Sequence, residues 1–281
     1  MSNDSTEKST QSLALRLLME DWQRAGIDDL VWDPSVSDGT TVQSESPISS
    51  SEDLSMANTR SADTDSAQPN SDSGSDSLPG PVLAREDRVS ALTSLQQQVS
   101  QCRRCTELAD ERTQTVFGVG DPMARLCFFG EAPGADEDRL GEPFVGRAGK
   151  LLTKIIEACE LKREDVYILN VLKCRPPGNR APLPQEAENC YPFLQKQLEI
   201  IRPEFLCCLG ASAAKALLDT KVAIGKLRGK FYKHQGIRVL VTYHPAYLLR
   251  NPAAKRPVWE DMQLLMNEMG IELNPTSTIG E

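Results

Sequence analysis

Four of the eight cysteines lie among polar residues, where a thiolate could bind a metal. Cys102 and Cys105 form a C-x2-C pair in a short polar turn, whereas Cys174 and Cys190 have 15 residues between them and are flanked by Arg, Pro and Asn. Structural zinc sites usually combine two close pairs of ligands, but iron–sulfur clusters accept more widely spaced cysteines. The split second pair favours a cluster, and zinc or no metal at all remain as alternatives.

The other four cysteines are expected in the core. Cys127, Cys207 and Cys208 lie in predicted strands, and Cys159 ends a predicted helix that also contains isoleucines. Buried free cysteine behaves as a small hydrophobic residue. We therefore leave these four out of the candidate metal site.

Strands and helices alternate along the chain from about residue 86. Short, continuous apolar runs are typical of strands that are covered on both faces, and they occur at 126–130, 166–172, 205–210 and 239–243. Helices are predicted near 146–159, 184–201, 211–218 and 255–269. The alternation predicts an α/β sandwich with a mostly parallel, four-stranded sheet. In such sheets the ligand lies at the carboxyl ends of the strands.

The first 85 residues differ in composition from the rest. They hold 15 of the 40 acidic residues but only 5 of the 31 basic ones, which leaves 25 acidic and 26 basic residues in 86–281. The net charge of −9 therefore belongs to a tail, which we expect to be mostly disordered because it has few apolar residues to bury. One stretch, 13–32, has apolar residues at helical spacing. It is either a helix that docks on the folded part or a tethered helix for an unknown protein partner.

The chain shows neither a membrane span nor a secretory signal. We therefore expect a cytoplasmic protein, in which the cysteines are thiols or metal ligands rather than disulfides. A monomer is also expected.

Three segments together resemble the iron–sulfur uracil-DNA glycosylases, the group often called family 4. They are GEAPGADEDRLGEPFVGRAGKLL (130–152), VYILNVLKCRPPGNRAPLPQEAENC (166–190) and YHPAYLLRNP (243–252). The resemblance covers roughly residues 88–270. It implies a three-layer α/β/α sandwich, one 4Fe-4S cluster on Cys102, Cys105, Cys174 and Cys190, and a structural role for that cluster.

The resemblance also assigns roles to three side chains. An enzyme that removes a base from DNA must take that base out of the stack and hold it in a pocket. Phe144 matches the aromatic residue that stacks on uracil, and Asn170 matches the amide that pairs with the uracil edge. His244 matches the histidine that contacts uracil O2, where negative charge develops as the glycosidic bond breaks. The implied activity is hydrolysis of that bond in single- or double-stranded DNA, the first step of base-excision repair.

The group that activates water is less directly indicated. Gly130, Glu131 and Ala132 match the segment that lines the uracil pocket. Better-known uracil glycosylases have a carboxylate where this chain has Ala132, so Glu131 is the predicted base, with Glu137 or Asp138 in reserve.

DNA contacts are expected around the mouth of the pocket. Arg147 and Lys150 follow Phe144, whereas Lys173, Arg175 and Arg180 surround Asn170. Leu248 or Leu249 could enter the duplex as an apolar wedge, with Arg250 at the phosphate backbone.

Three other functions compete with the glycosylase. The first is binding or covalent capture of uracil-DNA without turnover. A relative of that kind carries an inserted basic loop with a histidine after the Phe segment, whereas this chain reads GRAGKLL there. The others are a DNA-binding module that retains the fold and a zinc-stabilised scaffold.

Overall fold

The computed structural model describes Leu78, residues 82–274 and residues 277–279. The chain divides into the units Met1–Gln68 and Pro69–Glu281, and all described residues belong to the second. The predicted helix at 13–32 and nearly all of the predicted tail therefore lie outside the described residues. Within the described part, no helix is both long enough and apolar enough to cross a lipid bilayer.

A six-stranded sheet forms the centre of the fold. Its strands are β1 (Val119–Gly120), β2 (Leu126–Gly130), β3 (Tyr167–Asn170), β4 (Phe205–Leu209), β5 (Phe231–His234) and β6 (Ile237–Thr242). Their order across the sheet is β1-β3-β2-β4-β6-β5. The four inner strands are parallel, and each edge strand is antiparallel to its neighbour.

The four inner strands are the four predicted ones, and the sheet is two strands wider than predicted. β1 is only two residues long, and β5 is half-exposed, so neither has the continuous apolar run that marks a strand covered on both faces. β5 and β6 form a hairpin in which Gln235 and Gly236 both have positive φ, 49° and 81°, as tight hairpin turns require. His234 ends β5, just before the turn of this hairpin.

Four helices match the prediction to within a residue at each end. The α-helices in the described region are α1 (Arg85–Ser100), α2 (Thr106–Glu111), α3 (Ala135–Leu140), α4 (Arg147–Ala158), α5 (Pro184–Ile201), α6 (Ala211–Leu218), α7 (Ile224–Leu227), α8 (Pro245–Arg250) and α9 (Lys255–Met269). The matching ones are α4, α5, α6 and α9. The short helices α3 and α8, which follow β2 and β6, were not predicted, and both help to build the site.

Alternating side chains along the strands build two apolar layers. In β2, Cys127 and Phe129 belong to one layer, and Leu126 and Phe128 belong to the other. Helices α1, α5 and α6 supply the first layer, whereas α4, α8 and α9 supply the second. This arrangement confirms the three-layer α/β/α sandwich. The four cysteines assigned to the core are fully buried, which confirms that assignment.

Candidate active site

The turns that follow β2, β3 and β6 enclose a cavity of about 510 Å³. Parallel strands present their carboxyl ends at one edge of a sheet, so these turns meet there although they are far apart in sequence. The residues predicted to bind or cleave the substrate that line the cavity are Glu131, Ala132, Phe144, Asn170 and His244, together with the reserve base Glu137 and the predicted DNA contacts Arg180 and Arg250. The structure thus brings together residues from all three segments that carried the resemblance.

Gly130 ends β2 beneath this cavity, and its missing side chain lets two of the predicted site side chains meet. A Cβ atom at this position would lie 2.3 Å from Asn170 Oδ1 and 2.6 Å from Phe144 Cζ. Both distances are far inside van der Waals contact. Only glycine therefore allows the Phe144 ring and the Asn170 amide to lie over the end of β2.

The amide of Asn170 is buried but has an unused acceptor. Asn170 is the last residue of β3 and is 2% exposed. Its Oδ1 atom has no hydrogen-bond partner within the described part of the chain. Buried polar atoms are nearly always paired, and an exception calls for an explanation such as a ligand. A ligand N–H group in the cavity would satisfy this oxygen.

Phe144 is held in a backbone conformation that is unusual for an aromatic residue. Its φ is 55°, in the left-handed region. Arg163 Nη2 donates a hydrogen bond to the carbonyl oxygen of Pro143 over 2.6 Å. On the other side, α4 packs so closely that a Cβ on Gly149 would lie 1.9 Å from the Phe144 carbonyl oxygen. The surrounding structure thus fixes a strained residue, as is frequent at binding sites.

Glu137, in α3, holds the loop that contains Phe144 from the cavity side. Its Oε1 atom accepts hydrogen bonds from the backbone N–H groups of Val145 and Gly146 over 3.0 and 3.1 Å. Its Oε2 atom accepts one from Gly134 N–H over 3.0 Å. Glu137 is therefore a positioning residue for Phe144. The sequence did contain a signal, because an acidic residue three positions after a helix-capping residue often bonds back to the cap.

Asp138, the other reserve for water activation, faces away from the cavity. It is 3% exposed, and its two carboxylate oxygens each accept from Thr113 N–H over 3.0 Å. Both reserve carboxylates thus serve the backbone. Glu131 remains as the carboxylate that lines the cavity without a hydrogen bond from its side chain to any described residue.

His244 is the N-cap of α8, and its protonation state follows from that position. Its Nδ1 atom accepts a hydrogen bond from Ala246 N–H over 3.1 Å, so the neutral ring carries its proton on Nε2. Burial and, to a smaller extent, the positive charge of Arg250 lower the pKa of His244, while Glu137 acts in the opposite direction, and the resulting pKa is about 4. At neutral pH the residue is therefore a neutral donor. Its ring centroid lies 5.5 Å from that of Phe144, at 32° between planes.

The predicted wedge residues differ in their exposure. Leu248 is 0% exposed and belongs to the apolar layer under α8, so its prediction as a wedge is wrong in this conformation. Leu249 is 39% exposed, and Arg250 lines the mouth of the cavity. The prediction that Lys173 contacts DNA is also wrong, because this side chain is 1% exposed and cannot reach a phosphate.

The four polar cysteines converge beside the first apolar layer. Cys102 follows α1 and Cys105 precedes α2, while Cys174 lies four residues after Asn170. Cys190 lies inside α5, the helix predicted at 184–201. All four contact the same apolar layer, although no group of three or more potential ligands among the described residues is arranged to hold a metal ion.

Hydrogen-bond donors surround these sulfur atoms. Arg112 Nη1 donates to Cys174 Sγ over 3.0 Å, and Asn189 Nδ2 donates to Cys105 Sγ over 3.4 Å. Burial raises the pKa of Cys174, whereas Arg112 lowers it and the thiols of Cys102 and Cys105 raise it again. The sulfur atoms are thus close enough to influence one another electrostatically.

Comparison with known proteins gives a consistent result. Residues 117–263 match the family model of the Uracil DNA glycosylase superfamily. The chain is 44% identical over 183 residues to a Type-4 uracil-DNA glycosylase of Archaeoglobus fulgidus, covering 62% of this chain and 92% of that protein. It is 44% identical over 180 residues to a Type-4 enzyme of Thermotoga maritima, covering 63% and 93%. A Type-5 uracil-DNA glycosylase of Pyrobaculum aerophilum is 34% identical over 146 residues, covering 46% of this chain and 64% of that protein.

The family model spans half of the chain, and it includes the cavity residues from Gly130 to His244. These two Type-4 relatives are matched over more than nine-tenths of their length. On this sequence similarity, with a fold and a cavity that agree with it, the chain belongs to the uracil-DNA glycosylase superfamily.

Proposed function

We propose that this protein hydrolyses the N-glycosidic bond between uracil and deoxyribose in single- or double-stranded DNA, as the first step of base-excision repair. The observation that carries the proposal is the unpaired, buried amide oxygen of Asn170. It faces a cavity that also contains the Phe144 ring and the neutral His244. An aromatic face, an amide and a neutral donor are what a flipped pyrimidine base requires.

Asn170 determines the selectivity for uracil over cytosine. Its Oδ1 atom accepts from N3–H of uracil, and its Nδ2 group donates to O4. Cytosine presents an acceptor at N3 and a donor at N4, so the same amide would face two mismatches. Leaving buried polar groups unpaired is costly, and cytosine is therefore rejected while uracil is bound against Phe144.

His244 supplies the charge stabilisation. As the bond between C1′ and N1 breaks, the electron pair moves into the uracil ring and negative charge collects on O2. The Nε2–H group of His244 donates to this oxygen, and the bond from Ala246 N–H to Nδ1 fixes the tautomer in advance. A preorganised donor of this kind stabilises a transition state by about 3–4 kcal/mol.

Glu131 is proposed to orient the water. The sugar becomes cation-like as the base departs, and the water oxygen forms a bond to C1′. Glu131 accepts the proton that this water loses, while uracil leaves as an anion and is protonated afterwards. The products are free uracil and an abasic site.

We also propose that Cys102, Cys105, Cys174 and Cys190 hold one 4Fe-4S cluster. A multi-iron cluster is wider than a single ion, so its thiolates need not be grouped as closely as zinc ligands. The donors from Arg112 and Asn189 suit thiolates, since hydrogen bonds to cluster sulfurs are part of how proteins stabilise such centres. The group supplies a structural cross-link, because hydrolysis transfers no electrons.

The remaining predictions from the sequence belong to this proposal. They are a monomeric state, a cytoplasmic location, a glycosylase domain over 86–281, and a tail over 1–85 whose segment 13–32 either docks on the folded part or binds an unknown protein partner.

The decisive experiment uses the two histidines of the chain as a matched pair. A labelled oligonucleotide with a single uracil is incubated with the intact protein, His244→Ala or His234→Ala, and abasic sites are cleaved with alkali. We expect His244→Ala to lose about 10²–10³ in rate and His234→Ala to resemble the wild type. Folded wild-type protein that releases no uracil would contradict the proposal. A protein–DNA adduct stable to denaturation would favour covalent capture instead.

A further inference from the structure

A basic groove lies beside the uracil cavity. It encloses about 390 Å³ between α4 on one side and α8 with the start of α9 on the other. Arg147, Lys150 and Lys154 line the α4 wall, and Lys255 lines the opposite wall. No acidic side chain lines it, although 25 acidic residues accompany the 26 basic ones over residues 86–281. This concentration of positive charge is therefore local and not a property of the whole domain.

The α4 cations have no partner in the part of the chain that the structure describes. Arg147, Lys150 and Lys154 are exposed, and their side chains form no ion pair or hydrogen bond with any described residue. Surface arginines elsewhere are paired, as in Arg125 with Glu204 and Arg238 with Glu268. The three cations are spaced at i, i+3 and i+7, which places them along one face of a helix. From first to last they span about 10 Å, so they form a line of charge, not a point.

The groove and the cavity share two walls. In α4, Ala148 lines the cavity while its neighbour Arg147 lines the groove. In α8, Arg250 lines the cavity while Leu249 lines the groove. A chain that leaves the cavity over α8 would thus pass Leu249 and arrive between the two basic walls.

We propose that this groove binds the phosphodiester backbone of the DNA strand that carries the flipped uracil, on one side of the lesion. The inference rests on the proposed function and deepens it by assigning the path of the strand. A linear polyanion matches a line of unpaired cations better than a compact anion does. Contacts of this type position the nucleic acid without reading its sequence.

The test compares two double variants with the same change in charge. Lys150→Glu/Lys154→Glu reverses the charge of two lysines that line the groove. Lys215→Glu/Lys221→Glu reverses the charge of two exposed lysines that do not line it. Lys215 lies on α6, which covers the opposite face of the sheet. Binding of a fluorescent, single-stranded uracil oligonucleotide is measured over a series of salt concentrations.

The slope of log K against log salt reports the number of phosphates contacted. Each contact with a single strand contributes about 0.7 to the slope, so the loss of two should flatten it by about 1.4 in the groove variant. The control variant should retain the wild-type slope. We also expect KM for uracil excision to rise more than kcat falls. Equal slopes in the two double variants would overturn the proposal.

A second measurement tests the one-sided path. Two oligonucleotides end close to the uracil, one on its 5′ side and one on its 3′ side. Exactly one of these truncations should lower wild-type affinity to the level of Lys150→Glu/Lys154→Glu. If the wild type binds both truncated oligonucleotides more tightly than Lys150→Glu/Lys154→Glu does, the DNA strand does not run through the groove. Because binding is measured separately from cleavage, a protein that binds through the groove but releases no uracil would refute only the proposed function.

Discussion

The ammonium group of Lys173 donates a hydrogen bond to the backbone carbonyl oxygen of Asn170 over 2.9 Å. Lys173 is almost completely buried, and it forms no ion pair with a carboxylate among the described residues. Its backbone N–H group bonds to Cys190, and the next residue is Cys174. A single residue thus connects the residue proposed to read uracil with two of the proposed cluster ligands.

Replacement of Lys173 by Met should reduce excision by misplacing Asn170. A hydrogen bond to a charged group contributes about 1.5–3 kcal/mol, so we expect kcat to fall about tenfold or more. DNA affinity should change little, because the side chain is not at the surface. Exposed Lys215→Met is the control. A variant with unchanged kcat would show that Asn170 is positioned without this contact.

The lowered pKa of His244 predicts how the free energy of unfolding depends on pH. Its folded pKa, about 4, lies below the ordinary value near 6.5, so the unfolded chain binds a proton first as pH falls. The stabilisation from the neutral ring is therefore complete above about pH 6.5 and is lost as pH falls from there towards 4. The slope from one such group is at most about 1.4 kcal/mol per pH unit.

Denaturant unfolding of wild type and His244→Asn at several pH values isolates this contribution. The difference in unfolding free energy between the two proteins should shrink on acidification across that window. A difference that stays constant from pH 7 to 4.5 would mean that the ring is protonated equally easily in the folded and unfolded states.

Glu131 and Glu137 should behave differently although both line the cavity. Loss of the Glu137 carboxylate removes three hydrogen bonds to backbone N–H groups, so Glu137→Ala should destabilise the protein by about 2–4 kcal/mol. It should also lower kcat by releasing Phe144. Glu131→Gln should lower kcat with little change in thermal stability. If Glu131→Gln were as active as wild type, another group would have to activate the water.

Leu248 and Leu249 are neighbours with opposite expected phenotypes. Leu248→Ala should cost about 2–5 kcal/mol of stability because it creates a cavity in the core. Leu249→Ala should leave stability nearly unchanged and reduce excision from duplex DNA more than from single-stranded DNA, since an apolar wedge helps only where bases are stacked in a duplex. Equal losses on both substrates would refute the wedge.

Cys174 and Cys159 offer a matched test of the cluster. Cys174→Ser should lose iron and visible absorbance, because an alcohol is a poor substitute for a thiolate ligand. Cys159→Ser changes a fully buried cysteine in the other apolar layer and should retain about four iron atoms per chain. Wild-type protein purified with zinc in place of iron would contradict the cluster.

The sequence predicted the elements whose apolar patterns are long and failed where packing decides which residues are exposed. The four inner strands and helices α4, α5, α6 and α9 have patterns long enough to be specific. The edge strands and the six-residue helices α3 and α8 do not. Leu248 and Leu249 illustrate the limit, because adjacent helical residues point about 100° apart and only the placement of α8 shows which of them faces the core.

The candidate site was predictable for residues whose own side chains form the recognised motifs. It was less predictable for residues whose side chains bond to main-chain groups. Asn170, Phe144 and His244 line the cavity as expected. Lys173 was expected at the surface, because it lies in a polar, arginine-rich turn, yet its partner is a main-chain carbonyl three residues away. Glu137 was considered for proton transfer, but its partners are the backbone N–H groups of Gly134, Val145 and Gly146, of which only the bond to the helix cap has a signal in the sequence.

The order of strands across the sheet also bears on biosynthesis. The cavity needs Gly130 from β2, Asn170 from β3 and His244 after β6, and β6 lies between β4 and β5 in the sheet. Because chains emerge from the ribosome N-terminal end first, the cysteines and Asn170 are synthesised before the histidine. A nascent or truncated chain that ends before β6 would thus contain the base-reading amide but could not break a glycosidic bond. On the proposed mechanism, excision therefore requires synthesis of the chain past His244.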